Sequence, residues 1–150
     1  MGQEVSAALR ASRAMLGIVA RSVAPALEAV SLPHFRVLVL LETGGPARVG
    51  VLADQLDIVF STFSRSLDRL EAGGWVERAQ SLEDRREVTV SISPRGRRLV
   101  RQVSDRRNRE LEAVLAQVSD TDRAALERAF AAFADIAGEP TRAETLVLGI

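Results

Sequence analysis

Apolar residues recur at helical spacing along most of the chain and at strand spacing in one short stretch near its middle. Leu9, Leu16 and Val19 mark one face of a helix over residues 5–22, and Pro25 breaks that run before a short piece over 26–30. Ser31 offers an N-cap and Pro33 suits a first turn, so a strongly apolar second helix is predicted over 32–41, carrying Phe35, Leu38, Val39 and Leu41. Thr43-Gly44-Gly45-Pro46 stops it. A short third helix is predicted over 48–56, and a fourth over 60–72 that Gly73-Gly74 closes.

The period then changes. Residues 75–79 and 87–92 alternate apolar and polar positions, with Val76, Val88, Val90 and Ile92 on one side, and they flank the polar segment 80–86. That is the pattern of a β-hairpin with a long tip. Ser93 as N-cap and Pro94 at the first helical position open a long helix over 94–117. Ser119 or Asp120 caps a last helix over 121–137, in which Leu126, Phe130 and Phe133 are spaced by four and three residues. Gly138-Glu139-Pro140 ends it, and 141–150 finishes on Leu146-Val147-Leu148. Four helices, a hairpin and two helices make a mainly α fold with a small β-hairpin wing. This is a winged helix-turn-helix plus a helical dimerisation region. A single domain over 1–150 is expected, with the winged lobe at 32–93 and the dimerisation region at 1–30 and 94–150.

Composition narrows the chemistry. Of 150 residues, 47% are hydrophobic but only 4% aromatic, which fits a core of Leu, Val, Ala and Ile between helices. The chain has no cysteine and one histidine, His34, so neither a disulfide framework, a thiolate nucleophile nor a multi-histidine metal site can be built. Arg10, Arg13 and Arg21 interrupt the N-terminal stretch, leaving no secretory signal or bilayer span there, and a cytoplasmic, membrane-free protein is expected. No enzymatic constellation appears: the serines have no histidine partner, Asp120 and Asp122 read as helix-start residues, and Gly44-Gly45-Pro46 is a turn without a phosphate-loop pattern. No cofactor and no metal are expected.

Formal charge sums to zero, yet it is unevenly placed. Residues 78–109 hold ten arginines against four carboxylates, whereas 110–150 hold three against eight. One basic stretch on a neutral protein points to a localised anionic partner, the bland alternative being a solvated helix face. At about 100° per residue, Phe60, Phe63, Leu67 and Leu70 of the fourth helix share an inward arc. Ser61, Thr62, Arg65, Asp68 and Arg69 fall on the other side. Two hydroxyls and two guanidiniums near a helix N-terminus suit a recognition helix in a DNA major groove. The hairpin tip carries Asp84-Arg85-Arg86, where an arginine can reach a minor groove while a neighbouring carboxylate holds it extended.

Leu52-Ala53-Asp54-Gln55-Leu56, Ser61-Thr62-Phe63-Ser64-Arg65, the run from Asp68 to Arg78 and the run from Asp84 to Gly96 together resemble the multiple-antibiotic-resistance regulator (MarR) family. The resemblance covers about residues 32–100 and implies a homodimeric winged-helix transcription factor, usually a repressor, often released from DNA by a small aromatic or phenolic ligand. Its wing signature is met by Asp84, Arg86, Ile92 and Ser93, which makes Arg86 the wing arginine and Asp84 its orienting partner. The resemblance departs at Asp57-Ile58-Val59-Phe60, where many relatives have Gly-Val-Ser-Pro. Asp57 or Ser61 is then the candidate cap, a packed Phe60 the expected compensation, and Val59 and Phe60 are candidates for thymine-methyl contacts.

In relatives, the neighbourhood of His34 borders the cleft where effectors sit, so His34, Arg13 and Arg36 are candidate ligand contacts; the competing reading makes His34 a capping residue. Expected partners are double-stranded DNA bearing a pseudo-palindromic operator, a second copy of the chain and a small-molecule effector. The first, fifth and sixth helices are expected to form the subunit interface, because their apolar stripes exceed what a lone lobe can cover. A different class of function is a dimeric protein-interaction module with degenerate DNA binding, favoured by the altered 57–60 segment and the zero net charge.

Overall fold

The structure is a computed structural model that describes residues 2–80 and 88–137. Its elements run α1 (Gly2–Val23), a 3-10 turn (Ala26–Glu28), α2 (Leu32–Gly44), β1 (Ala47–Arg48), α3 (Val49–Gln55) and α4 (Phe60–Ala72). They continue with β2 (Val76–Gln80), β3 (Val88–Ile92), α5 (Pro94–Leu115) and α6 (Asp120–Ile136). The sheet is antiparallel in the order β1-β3-β2.

The core gathers the inward faces of α2, α3 and α4 against β3 and the start of α5. Phe35, Leu38 and Leu41 meet Leu52, Phe63, Leu67 and Leu70, with Val90, Val100 and Val103 closing the layer. The leucines and phenylalanines follow the period that the sequence shows. Ser31 caps α2, its Oγ accepting from the His34 backbone N–H at 3.4 Å, and Ser119 caps α6 by accepting from the Asp122 N–H at 3.2 Å.

Two boundaries differ from the sequence expectation. The helix α2 runs on to Gly44, and Gly45 at φ 81° makes the left-handed turn that ends it, donating its N–H to the Leu41 carbonyl at 3.1 Å. The hairpin gains a third strand, β1, paired through Ala47↔Val90 and Arg48↔Thr89. Two residues are too few to show alternation in a sequence.

Helix α5 leaves the sheet through a tight joint. Ser93 Oγ accepts from the Gly96 N–H at 3.0 Å and donates to the Gly74 carbonyl at 2.7 Å, and Arg95 bonds the Gly73 carbonyl at 2.8 Å while its guanidinium stacks 4.0 Å from the Trp75 ring centroid. Gly96 permits this closeness, since a Cβ there would run into the Trp75 carbonyl oxygen. Helices α1 and α2 each pack against α5. Arg21 of α1 pairs with Glu110 at 2.7 Å, and Glu42 of α2 pairs with Arg97 at 3.0 Å and Arg101 at 3.4 Å. Helix α6 has no buried residue.

Candidate nucleic-acid interface

Helices α3 and α4 meet through a turn centred on Asp57. Its φ of 53° is left-handed, and around it the Asp57 N–H donates to the Asp54 carbonyl at 3.1 Å and the Ile58 N–H to the Ala53 carbonyl at 2.9 Å. These paired bonds close the C-terminus of α3, the place where glycine is usual and an aspartate is tolerated. Asp57 therefore ends α3 and does not cap α4. Ser61 does not cap it either: the N-cap is Val59, which makes no side-chain bond to the first turn.

Packing fixes which face of α4 looks outward. Phe63, Leu67 and Leu70 are buried, while Ser61, Thr62, Arg65, Asp68 and Arg69 are exposed, as their spacing predicts. Phe60 departs from the inward arc. It is 58% exposed, and Val59 beside it is 72% exposed. As the first helical residue, Phe60 projects past the edge of the core, so the expected compensation by a packed Phe60 is absent.

Strand β2 holds α4 from the wing side. Arg78 Nη2 lies 2.8 Å from Asp68 Oδ1 and donates to the Ser64 carbonyl at 3.3 Å, and its Nε lies 3.4 Å from Glu71 Oε2. This clamp takes Asp68 off the list of groups free to meet a ligand. Among the described residues Arg65 and Arg69 form no ion pair, leaving two guanidiniums on the exposed face. The register Val76↔Ile92 through Gln80↔Val88 carries β2 and β3 toward the wing tip. Asp84, Arg85 and Arg86 lie outside the described residues.

The three candidate ligand contacts fall in different places. A cavity of about 300 Å³ opens between α1, α2, α3 and α5, lined by Val19, Leu32, Phe35, Arg36, Leu56 and Arg107 among others. Arg36 belongs to its wall, and sequence reasoning missed Arg107, which tertiary packing brings from α5 onto α1, its Nε donating to Ser22 Oγ at 3.4 Å. His34 and Arg13 are not in that wall. His34 instead sits near α4: burial lowers its pKa from the ordinary 6.5, and the Arg69 guanidinium lowers it further. Arg13 is exposed on α1. Among the described residues no group of three or more His, Asp or Glu side chains is placed to hold a metal, and no helix is long and apolar enough to cross a membrane.

A model described as the MarR family matches residues 30–88. RV1404 from Mycobacterium tuberculosis has a crystal structure that superposes with a TM-score of 0.83 at 36% identity, covering 90% of this chain and 92% of that one. The chain belongs to the MarR family. The HTH-type transcriptional regulator YfiV of Bacillus subtilis is 31% identical over 97 residues, which is 65% of this chain and 61% of YfiV. This MarR-family chain thus spans about three-fifths of that relative's length. Streptococcus pneumoniae FabT, whose crystal structure was solved in complex with DNA, shares the fold with a TM-score of 0.71 at 16% identity, covering 93% of this chain and 99% of FabT.

Proposed function

We propose that this MarR-family chain is a homodimeric transcriptional repressor that binds a pseudo-palindromic DNA operator and is released by a small aromatic or phenolic ligand. One observation carries the DNA reading: α4 is locked to the core by Phe63, Leu67 and Leu70 and presents Ser61, Thr62, Arg65 and Arg69 together on its outer face. Hydroxyls and guanidiniums in that order can bond phosphates and guanine edges. Arg86, with Asp84 orienting it and Arg85 beside it, completes the surface as the minor-groove element. The winged lobe over 32–93 reads DNA, and 1–30 with 94–150 pairs the subunits.

Support for dimerisation comes from α6, which buries nothing within one chain while Phe133 is 70% and Ile136 is 89% exposed. Leu9 and Leu16 of α1 are exposed as well. A second subunit is the economical cover for such faces. Support for the effector comes from the cavity between the helices and the lobe, where Arg36 and Arg107 stand among apolar walls. An aromatic ring with an acidic substituent fits that mixture.

The uncapped α4 and its exposed Phe60 favour a second reading, a dimeric protein-interaction module. A gel-shift titration with the region upstream of the chain's own gene separates the two. The DNA reading predicts a discrete shifted band that a scrambled duplex does not compete; binding to neither duplex overturns it. Light scattering at micromolar protein should give twice the chain mass of 16.2 kDa. A monomer mass would overturn the dimer.

A further inference from the structure

Val59 and Phe60 are conspicuous because they are apolar, adjacent and exposed at the leading end of α4, next to Ser61, Thr62 and Arg65. Val51 of α3, also exposed, lines an open groove with Phe60, Ser64 and Val88, so an apolar surface borders the polar row. Neither side chain serves the helix. Val59 makes no capping bond, and Phe60 stays largely out of the core that Phe63 fills.

We infer that Phe60, assisted by Val59, is a specificity-determining residue that reads thymine C5-methyl groups in each operator half-site. The inference rests on the DNA-binding reading and deepens it. A phenyl ring and an isopropyl group cannot bond a phosphate or a base heteroatom. Of the groups that the four bases display in the major groove, the thymine methyl is the one that an apolar side chain can contact favourably. The patch is continuous with the exposed hydroxyls and guanidiniums of the same helix. A recognition helix that enters by its N-terminal end therefore brings Val59 and Phe60 to the base edges together with Ser61 and Arg65. Arg65 then selects guanine, while Phe60 selects thymine on the adjoining step.

Duplexes are selected by the full-length protein from a random-sequence pool, and thymines in the enriched half-sites are replaced by deoxyuridine, which removes only the methyl. Wild type should lose about fourfold in affinity when the facing methyl is removed from one half-site and about fifteenfold when it is removed from both. Phe60→Ala should lose most of the difference between thymine and deoxyuridine duplexes, and Phe60→Leu should keep a larger part of it. Wild type indifferent to deoxyuridine at every position overturns the inference and leaves the DNA reading standing. So does a Phe60→Ala variant that loses the same factor as wild type, or enriched half-sites without thymine. If Phe60→Ala instead lowers the mass of the dimer, the patch belongs to a subunit contact and the inference fails. A pool that yields no enriched duplex overturns both readings. Should Phe60→Ala fail to fold, the deoxyuridine series on wild type alone decides.

Discussion

Arg78 on β2 reaches back to Asp68 on α4, its Nη2 2.8 Å from the carboxylate Oδ1, and the same guanidinium also bonds the Ser64 carbonyl. One side chain thereby ties strand β2 onto the helix whose outer face carries Arg65 and Arg69. The two elements are positioned as a unit.

Arg78→Ala should cost about 1 kcal/mol of stability, because the Arg78 end is largely buried while Asp68 and Glu71 are solvated and screened. Asp68→Ala should cost less, since the Ser64 bond survives it. Urea denaturation followed by circular dichroism reads both, and an unchanged midpoint for Arg78→Ala would contradict the clamp.

Asp57 occupies a left-handed conformation that glycine adopts without the Cβ penalty. Asp57→Gly should therefore raise stability by up to about 1 kcal/mol, a rise in Tm of about 3 °C for a domain of this size. Asp57→Val should lower it by more. A lower Tm for the glycine variant would show that the aspartate side chain contributes more than its backbone strain costs.

Much of this was legible in the sequence. The inner face of α4 follows from the spacing of Phe63, Leu67 and Leu70, the caps Ser31 and Ser93 follow from the prolines in the first turns after them, and Ser119 is one of two candidates with Asp120. What escaped depends on the third dimension. The Arg78 clamp joins residues ten apart across a turn, and Arg107 meets the wall of the cavity from a helix more than 50 residues beyond Gln55 and Leu56. Phe60 has the phase of a core residue, but phase cannot show that the core ends one turn short of it. Asp57 reads equally as the end of one helix or the start of the next until its φ is known.

The joint between the sheet and α5 should be intolerant of change. Gly96→Ala places a methyl against the Trp75 carbonyl and the Ile92 side chain, with an expected loss of about 2 kcal/mol. Ser93→Ala removes the cap and the bond to Gly74 together, for about 1–2 kcal/mol. Thermal melts of the two variants test this, and wild-type Tm values would contradict it.

Burial, reinforced by Arg69, keeps the His34 imidazole below its ordinary pKa of 6.5, so the unfolded chain takes up this proton first on acidification. The stability that neutral His34 contributes is complete above 6.5, and it is lost as pH falls from 6.5 toward the lower folded-state value. His34→Gln should flatten the dependence of stability on pH across that window. Parallel curves for wild type and variant would contradict the shift.

Arg86→Ala should weaken binding to all duplexes by a similar factor and flatten the salt slope of log K by about one unit per lost phosphate contact. Asp84→Ala should give a milder form of the same defect. A change in sequence preference without a change in salt slope would place Arg86 on a base edge instead of the backbone.

The most direct test of the account is the ratio of affinities for a selected operator and for its scrambled counterpart, measured by fluorescence anisotropy at several salt concentrations for wild type and Arg65→Ala. Wild type should prefer the operator by about a thousandfold or more. Arg65→Ala should lower that ratio by about tenfold to a hundredfold while binding the scrambled duplex almost as wild type does. Equal affinity of wild type for both duplexes, with Arg65→Ala indistinguishable from it, would contradict sequence reading by α4.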